Sequence, residues 1–291
     1  MVTNYTPIQG QVPEPSEFGL INSKTLALSE ERWNGGIAID SIVCNVSSRI
    51  FNNICSISST SSAVSGTDKS SGPILVRPFT IQADYECSTF GFLNQDYFEK
   101  ATLGLDLCQS KLVETEFWTG ALAQQDDEVD SEGNANTNRY LASQDAVDIT
   151  PTTGTAIKPA YALALLEEAL ATCGCGVKGY VHATRSVASV LPLKHEDDVL
   201  VTKLGNYVIA GTGYTGTGPT GTDPGNGKAW MYATGPVSVR LGDTYIVPDN
   251  INQATDIRNN SVSVSAEKEA AVTWDGCCHF AVLVDLSLDY S

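Results

Sequence analysis

Positive charge is scarce in this sequence. Its 291 residues hold 17 Lys and Arg against 34 Asp and Glu, a formal net charge of −17. The basic residues nowhere gather into a stripe. Proteins that grip a phosphate backbone displace counterions with clustered cations, so direct nucleic-acid recognition has no footprint here. Long apolar runs are missing too. No stretch approaches the roughly 20 residues of a membrane span, and the opening MVTNYTPIQGQVPEPSEFG has neither a basic start nor an apolar signal core. The expectation is a soluble protein, made in the cytoplasm, without a membrane partner. No repeat with a period of about 20 to 50 residues recurs, which argues against solenoids and propellers. Eight cysteines, at 44, 55, 87, 108, 173, 175, 277 and 278, lack the regular spacing of a secreted disulfide framework. Most are read as buried thiols, and spacing leaves open which of them touch.

Signatures of chemistry are also missing. Gly211, Gly213 and Gly216 formally complete a GxGxxG after the apolar NYVIA. A dinucleotide loop must aim a helix N-terminus at the pyrophosphate, and Gly218, Pro219, Gly221, Pro224 and Gly225 forbid a helix there. The segment is read as an exposed surface loop. Gly227-Lys228 is followed by Ala229 and lacks the earlier glycine of a phosphate-cradling loop. Asp126, Glu128, Asp130 and Glu132 lack the glycine at the sixth position of a calcium loop and are read as a solvated acidic turn. Cys173, Cys175, Cys277, Cys278 and His279 do not have zinc-site spacing. No serine lies in a GxSxG elbow, and His182 and His195 are the other histidines. The reading is no catalytic residue, no cofactor and no metal.

Secondary structure is legible in several places. Hydrophobic residues make up 42% of the chain and charged residues 18%, a globular composition with many Gly, Ser, Thr and Asn for loops. The stretch to about residue 34, with Pro7, Pro13 and Pro15, reads as an extended arm. Apolar runs GGIAIDSIVCNV and PILVRPFTIQADYECSTF flank a Ser-rich stretch from Ser47 to Gly72 and read as strands of a long hairpin. Asp96 and Glu99 have capping-box spacing, which predicts a helix over 96–118 ending at Gly120. At 1.5 Å per residue it is roughly 35 Å long. Phe98, Ala101, Leu105, Cys108, Leu112 and Phe117 are its expected apolar face. An acidic, turn-rich connection over 124–155 marks a boundary. A second helix is expected from Pro159 to a stop at Gly174, followed by a strand VKGYVHA and a helix TRSVASVL. Two strands around Asp275-Gly276 read as a closing hairpin.

This order resembles the major capsid proteins of tailed phages, with the Hong Kong 97-like α+β fold. FEKATLGLDLCQSKLVETEFWTG, ALLEEALATCGCGVKGYVHATRSVASVL and AEKEAAVTWDGCCHFAVLVDL are similar to segments of actinobacteriophage capsid proteins. The resemblance implies an N-terminal arm at 1–40, an extended-loop hairpin at 41–80, and a peripheral domain at 81–150 holding the spine helix 96–118. It further implies an axial domain at 151–255 with a glycine-rich loop at 211–227, and a return to the peripheral-domain sheet at 256–291. No long charged helical segment precedes the arm, so scaffolding is expected from a separate protein. Some relatives cross-link through a Lys and an Asn, and Lys69 is the one Lys in the extended-loop range.

The resemblance implies a shell subunit that packs with copies of itself into hexamers and pentamers around double-stranded DNA. Portal, scaffolding and decoration proteins are its expected partners, and its place is the virion, after synthesis in the bacterial host. An acidic shell suits that task because it does not retain DNA. Asp96, Phe98, Glu99, Leu105, Leu112, Phe117, Trp118, Lys69, Gly211, Gly213 and Gly216 are the residues the resemblance ties to assembly. An encapsulin-like nanocompartment shell shares the fold and is the alternative. A monomeric β-rich binding or hydrolytic protein is the more distant one.

Overall fold

A computed structural model describes residues 13–28, 33, 36–39, 48–49, 63–64, 74–88, 97–125, 138–173, 177–275 and 278–287. Local chemistry sets the helix limits. Helix α1 (Tyr97–Thr119) ends where Gly120 adopts φ +62° and returns its N–H to the Glu116 carbonyl at 2.7 Å, a left-handed terminator that glycine reaches without steric cost. In α2 (Ala121–Gln125) the amides of Leu122 and Ala123 donate to the Glu116 carboxylate at 2.8 and 3.0 Å. Helix α3 (Pro159–Cys173) starts on a proline, which has no N–H to lose in a first turn. Thr184 caps α4 (Arg185–Val190) by accepting from the Val187 amide, and Leu191-Pro192 stops it. A single turn, α5 (Ile251–Ala254), is capped by Asn250. Asp96 lies outside the described residues, and Glu99 is exposed in the first turn of α1.

Strand β1 is Leu26–Leu28. Then β2 (Ile37–Ile39), β3 (Ser48–Arg49), β4 (Ala63–Val64) and β5 (Ile74–Val76) pair antiparallel from the outside inward, β2 with β5 and β3 with β4. Next come β6 (Phe79–Ser88), β7 (Val147–Asp148), β8 (Tyr180–Thr184), β9 (Lys194–Glu196), β10 (Val199–Val201), β11 (Tyr207–Gly211) and β12 (Lys228–Thr234). The remaining strands are β13 (Val237–Val247), β14 (Thr255–Asp256), β15 (Ser261–Trp274) and β16 (His279–Asp285).

Two sheets take most of these strands. The first has order β1-β13-β15-β14, with β6 also on β15; the second runs β7-β16-β12-β8-β11-β10-β9. In the first sheet β15 alternates, burying Val262, Val264 and Ala266 while Ser263 faces out, the period of a strand with one covered face. In the second, β8, β12 and β16 are buried almost throughout and read as near-continuous apolar runs. Helix α1 packs on the first sheet, and α3 and α4 supply Leu163, Leu166, Leu170 and Val187 to the core of the second. Among the described residues no helix is long and apolar enough to cross a membrane.

Two expectations need correction. The strands around Asp275-Gly276 do not form a hairpin. Strand β13 takes one edge of β15 along Ser265–Trp274 and β6 the other along Ser261–Ala270. With both edges largely filled, β16 pairs instead with β12, Trp230 opposite Leu283, and with β7. The end of the 256–291 range therefore completes the second sheet, and 237–247, expected in the axial range, belongs to the first.

The apolar stripe of α1 is the second correction. Tyr97, Ala101 and Leu105 are buried on one face, whereas Val113, Glu114, Phe117 and Trp118 are buried further along. At ~100° per residue that second group lies on roughly the opposite side. The helix passes from lying on a sheet to being enclosed between the two sheet layers, so its buried side changes. Leu112, 37% exposed, and the free, exposed Cys108 continue the first stripe past the point where it has contact.

Cys173 and Cys278 form a disulfide with Cα atoms 5.7 Å apart, tying the end of α3 to the approach of β16. Spacing leaves open which cysteines touch, and these two do.

Candidate functional site: a buried carboxylate joining three segments

Glu114 has no exposed surface. A carboxylate in such a place is an acceptor with room for about four donors and needs them, because desolvation penalises an unpaired charge. It has them. Oε1 accepts from the Leu20 amide at 2.8 Å and from Ser110 Oγ at 3.0 Å. Oε2 accepts from Thr212 Oγ1 and from the Gly213 amide, both at 2.9 Å. One side chain on α1 thus holds the N-terminal segment with one oxygen and the glycine-rich loop with the other.

The neighbouring backbone comes this close because it is glycine. A Cβ on Gly19 would lie 2.5 Å from Glu114 Oε1, and one on Gly213 would lie 2.3 Å from the Lys111 carbonyl oxygen. Side chains continue the seam. Trp118 Nε1 donates to the Thr217 carbonyl and hydroxyl at 3.2 and 3.1 Å, and the Tyr232 hydroxyl donates to the same carbonyl at 3.0 Å.

The glycine-rich loop is therefore not wholly a surface loop. Gly211, Gly213, Tyr214, Gly216 and Gly218 are buried, while Gly221, Gly225 and Gly227 are exposed with open space around them. The physical division is close approach in the first half and turn conformation in the second. After Gly216 the backbone makes a single 3-10 turn at Pro219–Gly221.

The N-terminal segment, read from its sequence as an extended arm, is fastened to the rest of the chain at several points over its described part. Arg185 Nη1 donates to Ser16 Oγ at 2.6 Å, the Ala210 amide to the Phe18 carbonyl at 2.8 Å, and the Tyr180 hydroxyl to the Lys24 carbonyl at 3.1 Å. The Ser23 amide and hydroxyl donate to Asp198 at 2.7 and 2.6 Å and hold its carboxyl below the usual range. Strand β1 then runs parallel to β13. The segment bridges both sheets.

Beneath the junction, His182 is fully buried between the Tyr214 hydroxyl at 3.0 Å and Thr234 Oγ1 at 2.9 Å. Burial pushes its pKa down to about 3 and raises that of Tyr214 well above the ordinary value. His279 sits against the Leu141 carbonyl at 2.9 Å, and burial lowers it to about 4. Both imidazoles are neutral, enclosed ties between elements. Acid–base work on a substrate requires reach to the reacting atom, which a fully enclosed ring lacks.

Of the residues singled out in the sequence, Leu105, Phe117 and Trp118 are buried on α1 and Phe98 is half-buried, while Gly213 lies against α1, Gly211 against the Tyr214 ring and Gly216 against Thr184 and Ala229. Leu112 and Glu99 are exposed and away from the junction. Lys69, like Asp96, lies outside the described residues. Glu114, Leu20, Thr212 and His182 were not recognisable as a unit. A glutamate in a charged helix reads as a solvated face, and the one hint is the pair of glycines that later meet it.

No protein-family profile and no curated protein sequence matches the chain. Solved structures do. The capsid of Ralstonia phage GP4 is similar with a TM-score of 0.51 at 8% identity, over 98% of this chain and 95% of that one. The capsid of an empty GTA particle is similar with a TM-score of 0.50 at 11% identity, again over 98% and 95%. At such identity the likeness is one of fold, and the chain has the Hong Kong 97-like α+β fold that its sequence resembles.

Proposed function

We propose that this chain is the structural subunit of an icosahedral phage head shell, assembling with copies of itself around double-stranded DNA. The observation that carries the reading is the extent of the fold likeness. It spans 98% of this chain and 95% of a phage capsid subunit. Fold by itself does not fix function, so features of the chain must agree.

They do agree. The ribbon β3–β4 has no third strand among the described residues, and an isolated two-stranded ribbon is marginal in water. Neighbouring subunits supply the missing cover in a shell. The junction at Glu114 fixes the arm, the helix and the loop as one rigid piece, which a repeating container needs. A net charge of −17 leaves packaged DNA unbound to the wall. Scaffolding, portal and decoration proteins are the further partners, and the virion the location, after assembly in the host cytoplasm. The role is structural, with Leu105, Phe117 and Trp118 acting through the rigidity of α1.

Negative-stain microscopy with light scattering on the purified protein, alone and with a candidate scaffolding protein, tests this. Closed shells or capsomer rings are expected. A compact monomer under every condition would sink the reading, and shells that co-purify with an enzyme cargo would transfer it to a nanocompartment.

A further inference from the structure

The chemistry of an asparagine depends on the residue that follows it. Its side-chain amide carbon is open to attack by the next backbone nitrogen, which closes a cyclic imide and expels ammonia. A Cβ on the following residue hinders that approach, and glycine has none. Among the described residues one Asn-Gly step occurs, Asn226-Gly227, in the exposed half of the glycine-rich loop. The turn around it is closed by the Lys228 amide on the Gly225 carbonyl at 3.2 Å, and Asp223 Oδ1 takes the Gly225 amide at 2.8 Å. The Gly227 amide, the nucleophile of such a step, and the Asn226 side chain have no hydrogen-bond partner among the described residues. Gly225 and Gly227, at φ +84° and +72°, have open space around them. The turn is therefore free to bring nitrogen to carbon.

Other asparagines are restrained. Asn22 is buried and donates Nδ2 to the Gly19 carbonyl at 2.9 Å, and the amide that follows it is held by Asp198 Oδ2 at 2.7 Å. Asn206 donates Nδ2 to Glu167 and accepts from the Gly179 amide at 2.8 Å. Asn259 donates Nδ2 to Asp256 at 2.7 Å. Each of these side chains must break a bond, and carries a bulkier neighbour, before its carbon is reached.

We propose that Asn226 is a modification site at which the folded chain deamidates without an enzyme. The Gly227 nitrogen bonds to Asn226 Cγ, and the side-chain nitrogen leaves as ammonia, carrying the proton that the Gly227 nitrogen gives up. Water then opens the imide at either carbonyl, giving aspartate or isoaspartate. Either product adds a negative charge to a chain already at −17. Isoaspartate also lengthens the main chain by a methylene at the entry to β12, where the Gly227 carbonyl accepts from the Leu286 amide at 2.9 Å and Lys228 stands opposite Asp285. The change marks the age of the chain and loosens that end of the β12–β16 pair.

Incubating the full chain in mildly alkaline buffer, followed by tandem mass spectrometry, tests this. The tryptic peptide 204–228 carries Asn206 and Asn226 side by side. Aspartate and isoaspartate should accumulate at Asn226 at least about tenfold faster than at Asn22, Asn206 or Asn259. In the aged protein the Leu286 amide should exchange with deuterium faster than in fresh protein. The variant Asn226→Gln, whose longer side chain closes a ring less readily, should stay unmodified there and keep its protection at Leu286. Equal rates at the four asparagines, or an Asn226 that reacts only in urea-unfolded chain, overturn the inference. So does unchanged protection at Leu286 in protein largely converted to isoaspartate. These outcomes are independent of the shell reading.

Discussion

The backbone N–H of Leu20 donates to Glu114 Oε1 at 2.8 Å across 94 residues of sequence. Since Glu114 is wholly enclosed, water cannot replace that bond when it opens. A charge-assisted bond in such surroundings is stronger than its surface counterpart and more costly to lose. Through the same side chain, the position of the arm depends on the position of the glycine-rich loop.

Replacing the carboxylate by an amide tests that dependence. Glu114→Gln keeps the shape but turns one oxygen into a donor, facing either Leu20 and Ser110 or Thr212 and Gly213. Urea unfolding should show a loss of about 2–4 kcal/mol, and trypsin should cut after Lys24 faster than in the parent. Stability within about 0.5 kcal/mol of the parent would mean the junction relaxes freely.

Glycines in one loop should differ in consequence. Gly213→Ala puts a Cβ 2.3 Å from the Lys111 carbonyl and should cost about 2–3 kcal/mol through overpacking. Gly221→Ala, at φ +73° in open space, should cost only about 1 kcal/mol from its left-handed backbone. Thermal melts of the two variants side by side measure the difference, and equal shifts would contradict a loop packed in its first half alone.

Much of the helical framework was legible in the sequence. Gly120 ended α1, Pro159 opened α3 and Pro192 closed the α4 region, because these residues act through their own backbone. Sheet membership was not legible. Strand β16 goes to β12 because other strands occupy the edges of β15, which no local pattern records. The buried side of α1 escaped for a similar reason. Its first half meets a sheet and its second half is enclosed, so no single stripe runs the length of the helix.

Acid should weaken the fold through its buried imidazoles. Burial lowers His182 to about 3 and His279 to about 4, whereas in the unfolded chain both titrate near ~6.5. The unfolded state therefore binds more protons below ~6.5, and stability falls as pH drops from there, until about pH 4 for His279 and about pH 3 for His182. Each histidine contributes a slope of about 1.4 kcal/mol per pH unit within its window. Urea midpoints between pH ~7 and ~5 should show the decline, and His182→Gln should reduce its slope by about half. A flat profile over that range would contradict enclosed, neutral rings.

Reduction should be felt as well. The Cys173–Cys278 bond spans 105 residues, and closing a loop of that size restricts the unfolded chain enough to stabilise the fold by about 2–5 kcal/mol. Unfolding midpoints should fall on adding a thiol reductant, and Cys173→Ser should lose that sensitivity. Native alkylation should modify Cys108, the exposed free thiol, before either partner in the bridge.

The interleaving of the two sheets bears on timing during synthesis. The second sheet takes β7, β8 and β12 from the middle of the chain but needs β16, residues 279–285, between β7 and β12. Until that strand has left the ribosome, one side of β12 is an open edge, the kind of surface that invites pairing with another chain. Domains usually fold in the order they are made, yet here the middle of the polypeptide waits for a late segment. The nascent chain is thereby kept from its final shape while still tethered, and its last strand both completes the sheet and covers the edge.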